Sequence, residues 1–217
     1  MTGVVDNDTR EAMTARRCGC AFRRNPGSVQ AKLPTNRPKV FFQDFIKTDF
    51  TQDTFVKAVI EGMNYWSKVC NLTFERTLVQ TQANIVVKTE VIDGPGETLA
   101  YAYFPSGNRL GLPLVFGEEE AWDKAWGIDL RSTACHEGGH NAGVDHDPTA
   151  KGVMAAFYNP KILVPTSVWE IKQMVDRYGG PLPQSVPAPT PLPPGQLEKL
   201  RILISGNNLK VEGYERV

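Results

Sequence analysis

Residues 134–147 read A-C-H-E-G-G-H-N-A-G-V-D-H-D, and they hold all three histidines of a 217-residue chain: His136, His140 and His146. The spacing H-E-x-x-H-x-x-G-x-x-H restricts the local fold more than any other stretch. Residues four apart share one helix face, so His136 and His140 aim two imidazoles at one point. Glu137 stands one step round the helix, within reach of a water held there. Gly143 accepts left-handed dihedrals at little cost and lets the backbone leave the helix. The turn returns His146 as a third nitrogen ligand. Three neutral imidazoles with one open position are the donor set of a catalytic zinc site. At average residue usage, five fixed positions arise by chance in a chain of this length with a probability on the order of 10⁻⁴. That sets aside a surface helix with incidental histidines.

The pattern resembles that of the metzincin zinc endopeptidases, which also carry a methionine turn below the metal. Residues 152–158, G-V-M-A-A-F-Y, supply the candidate, with Met154 as the turn methionine. Within the metzincins the segment is most similar to the matrixins, the matrix-metalloproteinase type. Tyr158 stands at the tyrosine of their Pro-x-Tyr wall segment, while Ala156 replaces the proline. Ala156 also stands where the astacin type has a zinc-binding tyrosine, which argues against that branch. The resemblance implies an α+β metzincin catalytic domain: a twisted, mostly parallel five-stranded sheet with three helices and the Met-turn below the zinc. It also implies peptide-bond hydrolysis. Zinc on His136, His140 and His146 lowers the pKa of its bound water, and Glu137 takes the proton as general base and passes it to the leaving amine.

Upstream, Asp6 or Asp8 caps a short predicted helix running to about Ala15. Arg17-Cys18-Gly19 follows and resembles a matrixin cysteine switch. A thiolate is an excellent zinc ligand, so Cys18 in the fourth position leaves no place for an activated water, and the enzyme is latent. Arg16, Cys20, Ala21 and Phe22 depart from the prolines and acid that flank the family motif. Cys20 either competes with Cys18 for the metal or pairs with it. The alternative is a disordered basic tail with two free thiols.

The expected organisation is a propeptide remnant over residues 1–24, a proline-dotted linker over 25–38 and the catalytic domain over 39–179. A proline-rich linker over 180–195 and a hairpin or the start of a further module over 196–217 complete it. Strands are predicted at 40–45, 72–77, 84–89, 99–105 and 112–116. A helix starts at Thr51 or Asp53 and buries Phe55, Val59, Met63 and Trp66 at helical spacing. The active-site helix runs from Asp129, its N-cap, to Asn141. Ser167-x-x-Glu170 is a capping box for a last helix that ends at Tyr178-Gly179. Gly138 and Gly139 inside the active-site helix cost roughly 1 kcal/mol each against alanine, a cost that metal binding would offset. Cys135 reads as a buried thiol, and its pairing with Cys70 stays open.

The resemblance implies further site residues. Leu99 and Ala100 lie on the edge strand, where an extended peptide adds itself as another strand. Ser132 stands at the floor of the main specificity pocket and Tyr158 in its wall. A small serine leaves that pocket deep and favours a long apolar side chain just after the cut. Matrixins hold a second, structural zinc with further histidines, but the matching positions here are Tyr101 and Val115, so one zinc is expected. The matrixin calcium site has lost an acid at Gly117 and keeps Glu120. Glu118, Glu119 and Glu120 either hold Ca²⁺ weakly or form a solvated acidic turn.

Lys and Arg total 24, as do Asp and Glu, so net charge is zero and nothing points to nucleic acid or an acidic membrane surface. No apolar run is long enough to span a bilayer, and the first residues lack the apolar stretch of a secretion signal. An extracellular location is implied by the resemblance alone. The expected partners are a protein or peptide substrate and the chain's own propeptide, with the protein a monomer. Two other readings remain open: a catalytically silent zinc-containing binding or structural protein shut by Cys18, and a zinc hydrolase of non-peptide amides. The extended edge strand argues against the second.

Overall fold

A computed structural model describes residues 16–19, 31–45, 51–106, 110–123, 127–182, 202–205 and 208–211. The helix expected before Ala15, Cys20, residues 25–30 of the first linker, residues 183–195 of the second and the tip of the C-terminal turn lie outside the described residues. The chain divides into two compact units, Met1–Leu182 and Pro183–Val217.

The first unit is built on a sheet whose strands are β1 (Arg17–Cys18), β2 (Lys39–Phe42), β3 (Glu75–Arg76), β4 (Ile85–Glu90), β5 (Thr98–Ala102) and β6 (Leu112–Gly117). Their spatial order is β1-β5-β6-β4-β2-β3, parallel throughout except for the β5/β6 pair. Five of these strands match the expected sheet. The sixth, β1, comes from the N-terminal segment and adds itself parallel to β5. The expected strand over 72–77 shrinks to two ladder residues, although Leu72 and Phe74 are buried as expected. Thr73, Glu75 and Thr77 N–H still donate to Asn36, Pro38 and Val40 C=O, while Phe74 between them exchanges both of its backbone bonds with the Asn64 side chain.

The described residues hold three α-helices: α1 (Gln52–Met63), α2 (Leu130–Asn141) and α3 (Val168–Tyr178). Thr51 caps α1 by accepting from Thr54 N–H. Phe55, Val59, Met63 and Trp66 are all fully buried, and the Phe55 ring meets Phe42 and Phe116 edge-on. α1 and α2 cross at Gly62, where a Cβ would stand 2.1 Å from the Arg131 carbonyl oxygen. Only glycine permits that approach. Trp66 then fastens the pair by donating its indole N–H to Cys135 C=O at 2.8 Å. Cys70 and Cys135 are unpaired buried thiols; burial pushes Cys70 up to about 12 and Cys135 well above its ordinary value.

Leu33 lies within the residues expected to be linker, yet it is only 1% exposed and joins the core. Its N–H donates to Tyr178 Oη, which in turn donates to Ala142 C=O at the end of α2. α3 therefore clips the chain's entry strap to the active-site helix. No described helix is long and apolar enough to cross a membrane. The second unit contains an antiparallel pair, β7 (Ile202–Ser205) and β8 (Asn208–Val211).

Candidate active site

α2 is buried all round in spite of its polar sequence, so its histidines and glutamate face protein rather than solvent. Asp129 caps it as expected, accepting from Ser132 N–H. Gly143 ends it with φ +93°, and the Ala31 carbonyl oxygen comes within 2.4 Å of where a Cβ would be. The turn carries His146 back over the helix. Ring centroids lie 4.7 Å apart for His136 and His140, 4.8 Å for His140 and His146, and 5.4 Å for His136 and His146.

Cys18 joins them. One donor atom from each of Cys18, His136, His140 and His146 lies within 4.8 Å of all the others. The protons decide whether this set fits zinc. His136 Nδ1 lies 2.6 Å from Val153 C=O and His140 Nδ1 lies 2.8 Å from Val144 C=O. A carbonyl only accepts, which assigns the proton of each ring to Nδ1. Burial first, then the two neighbouring imidazoles, hold His136 well below its ordinary value, so its ring is neutral. The two Nε2 atoms thus face each other at 3.0 Å as lone pairs. A divalent cation between them turns repulsion into ligation, and two nitrogens on one tetrahedral zinc stand about 3.3 Å apart. The donors fit the metal.

Met154 lies beneath the site, fully buried, and its N–H donates to Glu170 Oε2 at 2.9 Å. The other oxygen of Glu170 accepts from Thr166 and Ser167 N–H. The sequence marked Glu170 only as half of a capping box; its carboxylate also fixes the methionine turn. Gly152 makes room for it, since a Cβ there would stand 2.0 Å from Glu170 Oε2.

The Matrixin family model matches residues 40–173. The chain belongs to the matrixin family. It is 32% identical over 174 residues to Stromelysin-1 from Equus caballus, covering 73% of this chain and 35% of that protein. It is 34% identical over 205 residues to Stromelysin-3 from Rattus norvegicus, covering 82% and 40%. Matrilysin from Felis catus is 29% identical over 194 residues, covering 80% of this chain and 72% of that protein. The chain spans about a third of the length of Stromelysin-1.

Beside the histidines this matrixin has a cleft bordered by Cys18, Leu99, Ser132, Glu137, Tyr158 and Ile162, among others. Glu137 is 1% exposed. Tyr158 Oη accepts from Asp129 N–H, which ties the cleft wall to the cap of α2. Ala100 is not among the cleft residues. It is buried, and its carbonyl accepts from Gly19 N–H at 2.8 Å.

Residues 16–19 run between two backbone edges. Arg17 N–H donates to Glu97 C=O and Gly19 N–H to Ala100 C=O on one side. On the other, Cys18 N–H donates to Ala156 C=O and Tyr158 N–H to Arg16 C=O. Arg17 also pairs with the Glu97 carboxylate at 3.4 Å, a partner that sequence reading did not identify. Nothing in the local pattern marks Glu97, because the pairing spans 80 residues.

The acidic run serves the loop between β4 and β5. Glu119 accepts from Ile92 and Gly94 N–H, Glu120 accepts from Gly96 N–H, and Glu118 accepts from Thr89 Oγ1. Burial pushes Glu120 up. It pushes Glu119 the same way, but the backbone N–H groups outweigh it and hold Glu119 low. Tyr101 and Val115 face each other across β5/β6, and Tyr101 Oη donates to Glu90.

Proposed function

We propose that the chain is a zinc-dependent endopeptidase held latent by its own N-terminal segment. The observation that carries this is the convergence of four donor atoms, from Cys18, His136, His140 and His146, within 4.8 Å beside a glutamate-lined cleft.

His136, His140 and His146 are the residues that hold the metal. The carbonyls of Val153 and Val144 orient the first two by fixing their tautomers. When bound, zinc supplies Lewis acidity, lowering the pKa of water toward 7 and polarising a carbonyl. Glu137 accepts the proton of the attacking water and delivers it to the leaving amine nitrogen. Leu99 and its neighbours on β5 offer main-chain groups to an extended peptide, along the edge that β1 now covers. Ser132 and Tyr158 border the cleft that receives a long apolar side chain after the cut.

Cys18 is the latency device. Its sulfur takes the position the water needs, and residues 16–19 cover the substrate edge at the same time. The matching organisation is a propeptide remnant over residues 1–24, a catalytic domain, and a separate C-terminal module, in a secreted protein that needs one zinc and acts on protein substrates.

Cleavage of a peptide library by the full chain, by Cys18→Ala and by Cys18→Ala/Glu137→Ala tests this reading. Cleavage by Cys18→Ala alone, abolished by zinc chelation, is expected. A double variant as active as Cys18→Ala removes Glu137 from the mechanism, and a full chain as active as Cys18→Ala removes the latency.

A further inference from the structure

Asn141 follows the second zinc-ligand histidine directly and is fully buried at the end of α2. Its Nδ2 donates to Tyr103 C=O at 2.8 Å and to Pro113 C=O at 3.3 Å. Pro113 C=O also accepts from Tyr103 N–H at 3.0 Å. The side chain thus sits at the point where β5 gives out and adds two bonds beyond the ladder, tying both strands of the β5/β6 pair to the helix. The next residue, Phe104, lays its ring against His140, with centroids 5.0 Å apart. His140 is therefore held on one side by Val144 C=O and on the other by an aromatic ring whose backbone Asn141 has just fixed.

The other end of the amide shows why this is more than packing. Asn141 Oδ1 is buried and has no hydrogen-bond partner among the described residues. An unpaired buried acceptor is a standing cost to the fold, and an apolar residue of similar volume would remove it. The two donors are what the position uses.

We propose that Asn141 is a positioning residue for the metal site: it clasps the β5/β6 pair to α2 and, through Phe104, sets the ring of His140. This rests on the zinc reading above. Aspartate at 141 would turn an acceptor toward two carbonyls, and leucine would keep the volume but lose the clasp. In either case Phe104 is released and His140 gains freedom to leave the metal. Groups that orient a ligand in this way change metal affinity by roughly 10–100-fold. Asn141 acts through one intervening ring, so the lower end is expected.

The test uses the full chain loaded with zinc, and in parallel with Co²⁺. Asn141→Leu is expected to release zinc to a chelator about tenfold faster than the parent and to shift the visible Co²⁺ bands. The unfolding midpoint of its metal-free form should fall only slightly, the lost bonds to Tyr103 and Pro113 C=O being offset by removal of the unpartnered Oδ1. Phe104→Leu, which leaves the clasp intact, should do the same from the other end. The double variant should lose no more than the larger single effect, because both act along one path. Equal release rates for the parent and Asn141→Leu overturn the proposal, as does a metal-free form destabilised in proportion to the faster release. If Asn141→Leu does not fold, Phe104→Leu releasing zinc at the parent's rate overturns it. A parent chain that holds no metal contradicts the zinc reading itself, a result distinct from these.

Discussion

The sulfur of Met154 lies 2.4 Å from where a Cβ on residue 139 would stand, so Gly139 is the opening through which the methionine turn reaches the underside of the two helical histidines. A glycine in mid-helix is otherwise a cost. Here it is the condition for packing Met154, Trp66 and α2 against one another.

Gly139→Ala should therefore destabilise the chain by about 1–3 kcal/mol through overpacking and lower its zinc content. Gly138→Ala is the control. A Cβ there meets only Met63 Cγ at 3.2 Å, on an unbranched side chain that can give way. The gain in helix propensity, roughly 1 kcal/mol, should leave it near neutral. Chemical denaturation of the two variants checks the contrast.

Gly19→Ala should open the latent form without touching the thiol. A Cβ there would stand 2.6 Å from Thr98 Cγ2 and 3.2 Å from Tyr101 Cβ, so either Thr98 turns away or the segment lifts from β5. Activity of the full chain is expected to rise toward that of Cys18→Ala. Glu97→Gln removes only a part-exposed ion pair. Such pairs contribute about 0–1 kcal/mol, so it should raise activity by less than about fivefold.

Removing Glu137 should cost about 10²–10⁴-fold in kcat, the usual range for a general acid or base, while zinc content stays at that of the parent. The trait to compare is metal content against turnover in Cys18→Ala and Cys18→Ala/Glu137→Ala. A variant that loses both would point to a structural role.

Stability should fall on the alkaline side. Burial pushes Cys70 and Tyr178 each up to about 12 in the folded chain. Above pH 9 the unfolded state gives up the Cys70 proton and above pH 10 that of Tyr178, while the folded state keeps both, so deprotonation favours unfolding. The stability they contribute is complete below pH 9 and is lost progressively as pH rises toward 12. Cys70→Ala should flatten the first part of that decline in denaturant melts at pH 8 to 11.

The zinc motif was legible because its geometry is local: four-residue spacing on one helix and a glycine at its end place all three rings. The capping residues Thr51, Asp129 and Ser167 were legible for the same reason. What escaped the sequence depends on distant partners. The β1 pairing rests on two ladder residues lying against β5, some eighty positions away. Asn64 fills the backbone groups of Phe74 beside β3, and no strand pattern carries that information. Glu118, Glu119 and Glu120 read as a weak calcium site or a solvated acidic turn, until Thr89 Oγ1 meets the first and N–H groups of residues 92–96 the other two. Gly139 read as a defect to be offset by metal, and its reason lies fifteen residues on, at Met154.

X-ray absorption at the zinc edge of the full chain tests the four-donor site most directly. One sulfur at about 2.3 Å and three nitrogens at about 2.0–2.1 Å are expected, with the sulfur lost in Cys18→Ala and the nitrogens retained. A parent spectrum with no sulfur, or with more than one, would contradict it.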